Sequence, residues 1–182
     1  LPIALMTMHD ALVGNGRLKA GESVLIQGAS SGVGLMGLQI AKHLGAGLVI
    51  GTSRDAARRA RLKEFGADLA LDPGDPAWPE AVQEATGGGV DLIIDQVSGG
   101  VANDNMKAAR LMGRIVNVGR LGGFSGEFDY DLHALKRIQY IGVTFRTRSP
   151  IEVREINRKM RADLWPAVQA GTLSLPIDRV FP

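Results

Sequence analysis

The sequence contains no cysteine, which excludes disulfides, thiolate chemistry and cysteine-based zinc sites. Histidine is scarce as well. His9, His43 and His133 stand far apart without ligand spacing, so no bound metal is expected. No apolar run reaches the roughly 20 residues that a membrane-spanning helix needs. The opening LPIALMTMHDAL lacks a basic n-region and reads as an amphipathic helix. An excess of one charge is also missing: 21 Lys and Arg against 19 Asp and Glu leave a formal +2, too small and too dispersed to suggest a nucleic acid partner. These absences point to a cytoplasmic protein with no nucleic acid and no membrane among its partners. With 182 residues, 45% of them hydrophobic, the chain has the size of one domain with a substantial core.

What is present concentrates between Val24 and Leu44, VLIQGASSGVGLMGLQIAKHL. A short apolar strand runs into a glycine-punctuated turn and then an apolar helix. Gly28 can take the sharp turn off the strand, Gly32 lets backbone N–H groups approach a pyrophosphate, and Gly34 lets the helix start close against the sheet. Phosphates would then meet the positive end of the helix dipole. The strict G-x-G-x-x-G spacing is not met, because Ala29 and Ser31 occupy the first two glycine positions relative to Gly34. The context is that of a βαβ unit all the same, since a further apolar strand, Gly47 to Thr52, follows. Ala29, Ser30, Ser31 and Val33 complete the candidate phosphate-binding turn.

Strand and helix patterns alternate along the rest of the chain. Leu5, Met8 and Leu12 share one helical face, and that helix is expected to stop in the Gly14-Asn15-Gly16 turn. Strands are expected at Leu48 to Thr52, Leu69 to Leu71, Val90 to Asp95, Arg114 to Val118 and Gln139 to Phe145. Helices are expected from a cap at Ser53 or Asp55 to Gly66, from Pro76 to Thr86, from Val101 to Leu111 and from Pro150 to Ala170. Near-continuous apolar strands separated by helices indicate a parallel sheet buried on both faces, hence a doubly wound α/β fold of six strands in the order 3-2-1-4-5-6. The apolar strand 139–145 would form a sheet edge, and such an edge tends to pair. A homodimer through this edge is expected.

The end of the second strand decides which dinucleotide fits. An acidic side chain there would accept hydrogen bonds from a ribose 2′-OH and repel a 2′-phosphate. Ser53 stands at that position, followed by Arg54 and, one helical turn on, Arg58. A hydroxyl and two guanidinium groups suit a 2′-phosphate, so NADP(H) is the expected cofactor. Arg59 and Arg61 read as a solvated helix face, and Asp55 as a helix cap.

The segments LPIALMTMHDAL, LKAGESVLIQGASSGVGLMGLQIAKHLGA, FGAD, GGGVDLIIDQVSGG, GRIVNVGRLGG and IDRVFP, taken in order, resemble the Rossmann cofactor domain of the medium-chain dehydrogenase/reductase superfamily. Within it the likeness is closest to the zinc-independent NADPH:quinone oxidoreductases. The short-chain dehydrogenases share the glycine turn but need a Tyr-x-x-x-Lys pair, and Ala134 and Thr144 stand four places after Tyr130 and Tyr140. Zinc-dependent relatives carry a cysteine ligand where Ile3 stands. Enoyl reductase relatives carry a lysine and an aspartate where Arg120 and Arg146 stand, and arginine holds its proton.

The resemblance implies hydride transfer from NADPH to a quinone, an enone or a similar conjugated carbonyl. It places Val118 and Gly119 beneath the nicotinamide, Gln96 and Val97 along the adenine side, and Phe145 and Arg146 at the nicotinamide end. For Arg146 a surface ion pair is the alternative. No residue reads as a catalytic acid, base or nucleophile; Asp95, at the end of a buried strand, is expected to hold loop N–H groups. Tyr130 and Asp131 read as part of a polar loop, and GRLGGFSG as a lid or a plain surface loop. The resemblance also implies that a GroES-like substrate domain precedes this domain and a return segment follows it, so that the chain alone would bind cofactor but turn over poorly. A nucleotide-binding or sensory module without chemistry is the other functional class left open.

Overall fold

The computed structural model describes residues 2–177 and 179–180 of the chain. Asp178, Phe181 and Pro182 of the closing IDRVFP segment lie outside them. Six strands form one all-parallel sheet: β1 (Ser23–Ile26), β2 (Leu48–Thr52), β3 (Leu69–Leu71), β4 (Val90–Asp95), β5 (Ala109–Asn117) and β6 (Gln139–Gly142). Their order is 3-2-1-4-5-6, as the alternation of apolar strands with helices requires. The central strands β1 and β4 are buried along almost their whole length because helices cover both faces.

On one face, α1 (Pro2–His9), α2 (Gly32–His43) and α7 (Pro150–Gln169) pack Leu5, Met8, Met36, Leu38, Ile40, Met160 and Leu164 against Val24, Ile26, Leu92 and Ile94. On the other face lie α4 (Trp78–Thr86) and α5 (Ala102–Ala108), with Trp78, Val82 and Met106 on Leu25, Ile50, Ile93 and Ile115. The alternation of Val24, Leu25 and Ile26 between the two cores is the period-two geometry of a strand. A capping box between Ser149 and Glu152 starts α7, with Pro150 in its first turn.

Several elements depart from the sequence reading. The first helix does not simply stop at Gly14: it widens into a π-helix over Asp10–Asn15, stabilised by a hydrogen bond from the Asn15 side chain to the Asp10 carbonyl. The helix expected after β2 is short, α3 (Ala56–Ala60), and tightens into a 3-10 turn, Leu62–Phe65, before Gly66 closes it in a left-handed conformation. Its cap is Asp55, not Ser53. The helix before β4 starts at Trp78, because Asp75 first makes a turn by accepting the Ala77 N–H. α5 ends at Ala108, and β5 begins at Ala109, ahead of the expected Arg114, through an irregular register opposite Val90 and Leu92. Tyr130 and Asp131 belong to a short helix, α6 (Tyr130–Lys136), capped by Asp129. The edge strand β6 ends at Gly142: Val143 gives a last N–H to Asn117, and the chain then turns away toward α7.

Candidate cofactor site

The carboxyl ends of the parallel strands lie along one edge of the sheet, and the strand order reverses between β1 and β4, which is where open α/β sheets bind ligands. The turn after β1 is fixed from below. Gly28 has φ +67°, a conformation that favours glycine. Its N–H donates to Thr52 Oγ1 at 3.1 Å, and Thr52 donates to Gln27 Oε1 at 2.6 Å. Gln27 in turn donates to Asn105 Oδ1 at 2.8 Å. The three side chains are fully buried, so this network ties β1, β2 and α5 beneath the turn.

Ser31 caps α2, its hydroxyl accepting the Gly34 N–H at 3.0 Å and donating to Gln96 Oε1 at 3.1 Å. Gln96 also donates to the Gln27 carbonyl at 3.0 Å. Its side chain therefore braces the turn from β4, and Val97 packs beside Gly28. A Cβ on Gly34 would lie 2.6 Å from Ala29 Cα, so only glycine lets α2 start this close to the sheet. At Gly32 a Cβ would meet only Leu175 Cδ1, at 4.0 Å. Among the described residues, the N–H groups of Gly32 and Val33 have no acceptor in the chain, as expected of a helix start. An anion can reach them, with the dipole of a twelve-residue helix behind it. This open cradle suits a pyrophosphate.

At the end of β2, Ser53 is buried, with its hydroxyl 3.0 Å from that of Ser30 on the glycine turn. The two loops are thereby joined. Arg54 is exposed, and among the described residues no carboxylate lies within ion-pair distance of it. The Arg58 side chain is exposed and stands 3.9 Å from Asp55, whose other oxygen accepts the Arg58 N–H as the cap of α3. Arg61 is solvated beside Glu64, as expected. Arg59 is not: its guanidinium folds under the turn, donating to the Ser53 carbonyl at 2.8 Å and to Asp72 Oδ2 at 2.9 Å. Helical spacing gave no sign of this, because the partner comes from the loop after β3.

At the other end of the crevice, Val118 and Gly119 both donate N–H bonds to the Asp95 carbonyl. A Cβ on Gly119 would lie 2.5 Å from the Gln96 carbonyl oxygen, so the β4 and β5 loops touch. Ser98, in the unusual conformation φ +59°, donates to the Gly119 carbonyl at 2.6 Å and accepts from Asn117. Strain of this kind clusters at functional sites. Asp95 Oδ1 accepts the N–H groups of Val97 and Ser98, at 2.8 and 2.9 Å, so its carboxylate is a loop brace. Burial nevertheless pushes its pKa above the usual carboxylate value, against those two bonds. Burial, and then the Asp95 charge, push the Tyr140 hydroxyl up to about 12.

Phe145 is half-buried and Arg146 is exposed, just past β6. The Arg148 guanidinium lies over the Phe145 ring at 5.5 Å and pairs at 2.7 Å with Asp10 in the π-helix. The loop at 120–128 is largely solvent-facing, with Leu121 and Phe124 exposed. Gln27, Thr52, Asn105 and Ser98 carry no motif of their own in the sequence. A glutamine closing an otherwise apolar strand was the one available signal.

The model of the zinc-binding dehydrogenase family matches residues 32–161. The chain belongs to that family. It is the Rossmann cofactor-binding domain of a medium-chain dehydrogenase/reductase. A probable quinone oxidoreductase of Leishmania amazonensis is 30% identical over 128 residues, 70% of this chain and 38% of that protein. A hybrid PKS-NRPS synthetase of Aspergillus violaceofuscus is 33% identical over 123 residues, 66% of this chain but 3% of that protein. Among solved structures, a probable oxidoreductase from Mycobacterium abscessus is 33% identical with a TM-score of 0.67, covering 92% of this chain and 47% of that one. The Escherichia coli quinone oxidoreductase, solved in complex with NADPH, has a TM-score of 0.84 at 22% identity, covering 96% of this chain and 53% of that one, and so matches in fold. This medium-chain dehydrogenase/reductase domain thus spans about half the length of these structural relatives. Among its described residues no helix is long and apolar enough to cross a membrane.

Proposed function

We propose that the chain is the NADP(H)-binding part of a cytoplasmic, zinc-independent oxidoreductase that transfers hydride from NADPH to a quinone, an enone or a related conjugated carbonyl. The observation that carries this reading is the end of β2. Ser53 and exposed Arg54 stand beside the glycine turn, and the two carboxylates near them are engaged, Asp55 as a helix cap and Asp72 by Arg59. The bound cofactor would supply the hydride. Gly32 and Val33 would hold its pyrophosphate, and Ser53, Arg54 and Arg58 its 2′-phosphate. Val97 would border the adenine, with Gln96 bracing the turn behind it. Val118, Gly119, Phe145 and Arg146 would fix and shield the nicotinamide, excluding water from the transfer. Substrate contacts would come largely from a second domain of a longer parent chain, and Ile3 supplies no metal ligand. Two copies are proposed to pair through the β6 edge; a monomer by light scattering at high micromolar concentration would refute that arrangement.

The test is a fluorescence titration with NADPH and NADH in parallel, repeated on Arg54→Ala and Arg58→Ala. Each lost phosphate contact is expected to weaken NADPH by about tenfold while sparing NADH. Equal binding of both cofactors, indifferent to either substitution, would discard the phosphate pocket.

A further inference from the structure

We infer that Arg59, together with Asp72, is a positioning residue that sets the preference for NADPH over NADH without touching the cofactor. The inference rests on the reading of Ser53 and Arg54 as the 2′-phosphate cradle and adds what holds that cradle in shape. Arg59 is the one arginine of the 54–61 cluster that turns inward. Its Nη1 donates to the Ser53 carbonyl at 2.8 Å, lies 3.4 Å from the Arg54 carbonyl, and pairs with Asp72 Oδ2 at 2.9 Å. Its side chain is 23% exposed, against 71% for Arg58 and 62% for Arg61.

The physical consequence concerns two peptide dipoles. The carbonyl oxygens of Ser53 and Arg54 carry negative partial charge in the turn that is to receive a dianionic phosphate. While the guanidinium holds both, neither is free to rotate toward the phosphate. Every other polar atom of Ser53 is also engaged: its N–H donates to the Leu71 carbonyl at 3.1 Å and its hydroxyl meets Ser30 at 3.0 Å. Ser53 is therefore held at every polar atom, and Arg59 is the side chain that holds its carbonyl. Asp72 fixes the guanidinium in turn, and is itself fixed because its second oxygen accepts the Gly74 N–H at 2.9 Å. Arg59 thus links the loops after β2 and β3, and its charge is largely answered by Asp72 and the two carbonyls.

A positioning role and a direct phosphate contact give opposite results at Asp72. If Arg59 held the phosphate itself, Asp72→Asn would free positive charge and strengthen NADPH. If Arg59 orients the turn, Asp72→Asn loosens it and NADPH weakens. The experiment is a parallel titration of the chain with NADPH and NADH for wild type, Arg59→Leu and Asp72→Asn, with thermal unfolding as the folding control. Arg59→Leu is expected to lower the NADPH-to-NADH affinity ratio roughly tenfold and Asp72→Asn about threefold, NADH itself changing less than twofold. A general loss of structure would lower both affinities together and leave the ratio unmoved, which would overturn the inference. So would a ratio that rises in Asp72→Asn, or a wild-type preference for NADPH that survives both substitutions. A wild type that binds the two cofactors equally would instead refute the phosphate cradle itself. Should Arg59→Leu fail to fold, Asp72→Asn decides alone, since it keeps a hydrogen-bonding side chain of the same shape.

Discussion

Replacing Gly32 and Gly34 in turn by alanine separates binding from folding at two positions only one residue apart. At Gly34 an added Cβ would lie 2.6 Å from Ala29 Cα and 2.7 Å from its carbonyl carbon and oxygen, all rigid backbone. Relief requires moving α2 off the turn, an overpacking cost of about 1–3 kcal/mol. At roughly 2–4 °C per kcal/mol for a chain of this size, Gly34→Ala should melt about 3–10 °C below wild type. At Gly32 the nearest atom to the new methyl is Leu175 Cδ1 at 4.0 Å, so the apo protein has room for it. Alanine in the first helical turn also loses less chain entropy than glycine, a gain of up to about 0.5–1 kcal/mol. Gly32→Ala should therefore melt level with wild type or a degree or two above it, yet bind NADPH about tenfold more weakly, because the methyl stands where a phosphate must approach the N–H groups. Differential scanning calorimetry and a fluorescence titration of the two variants suffice. Wild-type affinity in Gly32→Ala would refute the placement of the pyrophosphate, and wild-type stability in Gly34→Ala would refute the packing argument.

Met112 is exposed at φ +61° within β5, a conformation that disfavours a side chain; Met112→Gly should gain about 1 kcal/mol and raise the melting temperature by roughly 2–4 °C, and an unchanged or lower value would count against strain there. Tyr140, held up to about 12 from 10.0 by burial and the Asp95 charge, stays protonated in the fold over a range where the unfolded chain ionises it. Its contribution is present below pH 10 and is lost as pH rises toward 12; urea unfolding of Tyr140→Phe across that window should show a slope smaller by about one proton. Arg148→Ala strands the Asp10 carboxylate, 6% exposed and already raised by burial, and should cost about 3 kcal/mol at pH 7 by urea unfolding. That loss should shrink as pH falls and Asp10 takes up a proton, and a pH-independent loss would place the effect in packing against Phe145 instead.

The sheet was legible because its order follows from connectivity once the strands are found, and β1 and β4 are apolar runs with no rival reading. Gly28 and Gly34 were legible because the demands of a strand–turn–helix unit are local. What the sequence hid depends on partners far along the chain. Arg59 has the spacing of a solvated helix face, and only the arrival of Asp72 from the next loop turns it inward. Gln27, Thr52 and Asn105 are unremarkable singly and become a network because β1, β2 and α5 meet at one point. The helix α6 was missed because it is seven residues long and buries none of them fully. The early start of β5 reflects irregular pairing with β4, and β6 is short because the chain leaves the sheet after Gly142; hydrophobic pattern encodes neither.

The distribution of hydrogen bonds along the crevice separates how tightly a cofactor is held from how well it reacts. In the half assigned to the adenosine and pyrophosphate, Ser31, Gln96, Ser53 and Arg59 all find partners within the chain. The turns there need little ordering on binding, though the exposed Arg54 and Arg58 side chains do, and preorganised turns lose less affinity to conformational entropy. At the nicotinamide end, Ser98, Asn117 and Asp95 brace the floor, while the 120–128 loop keeps Leu121 and Phe124 in solvent. Hydride transfer needs that end dry and its reacting groups aligned, which exposed loops do not supply by themselves. Substitutions at Gly32, Arg54, Arg58 and Arg59 should therefore act on dissociation constants already measurable in this chain. Under the proposed function, substitutions at Ser98 or Phe145 would act mainly on turnover, to be measured in the proposed longer parent chain.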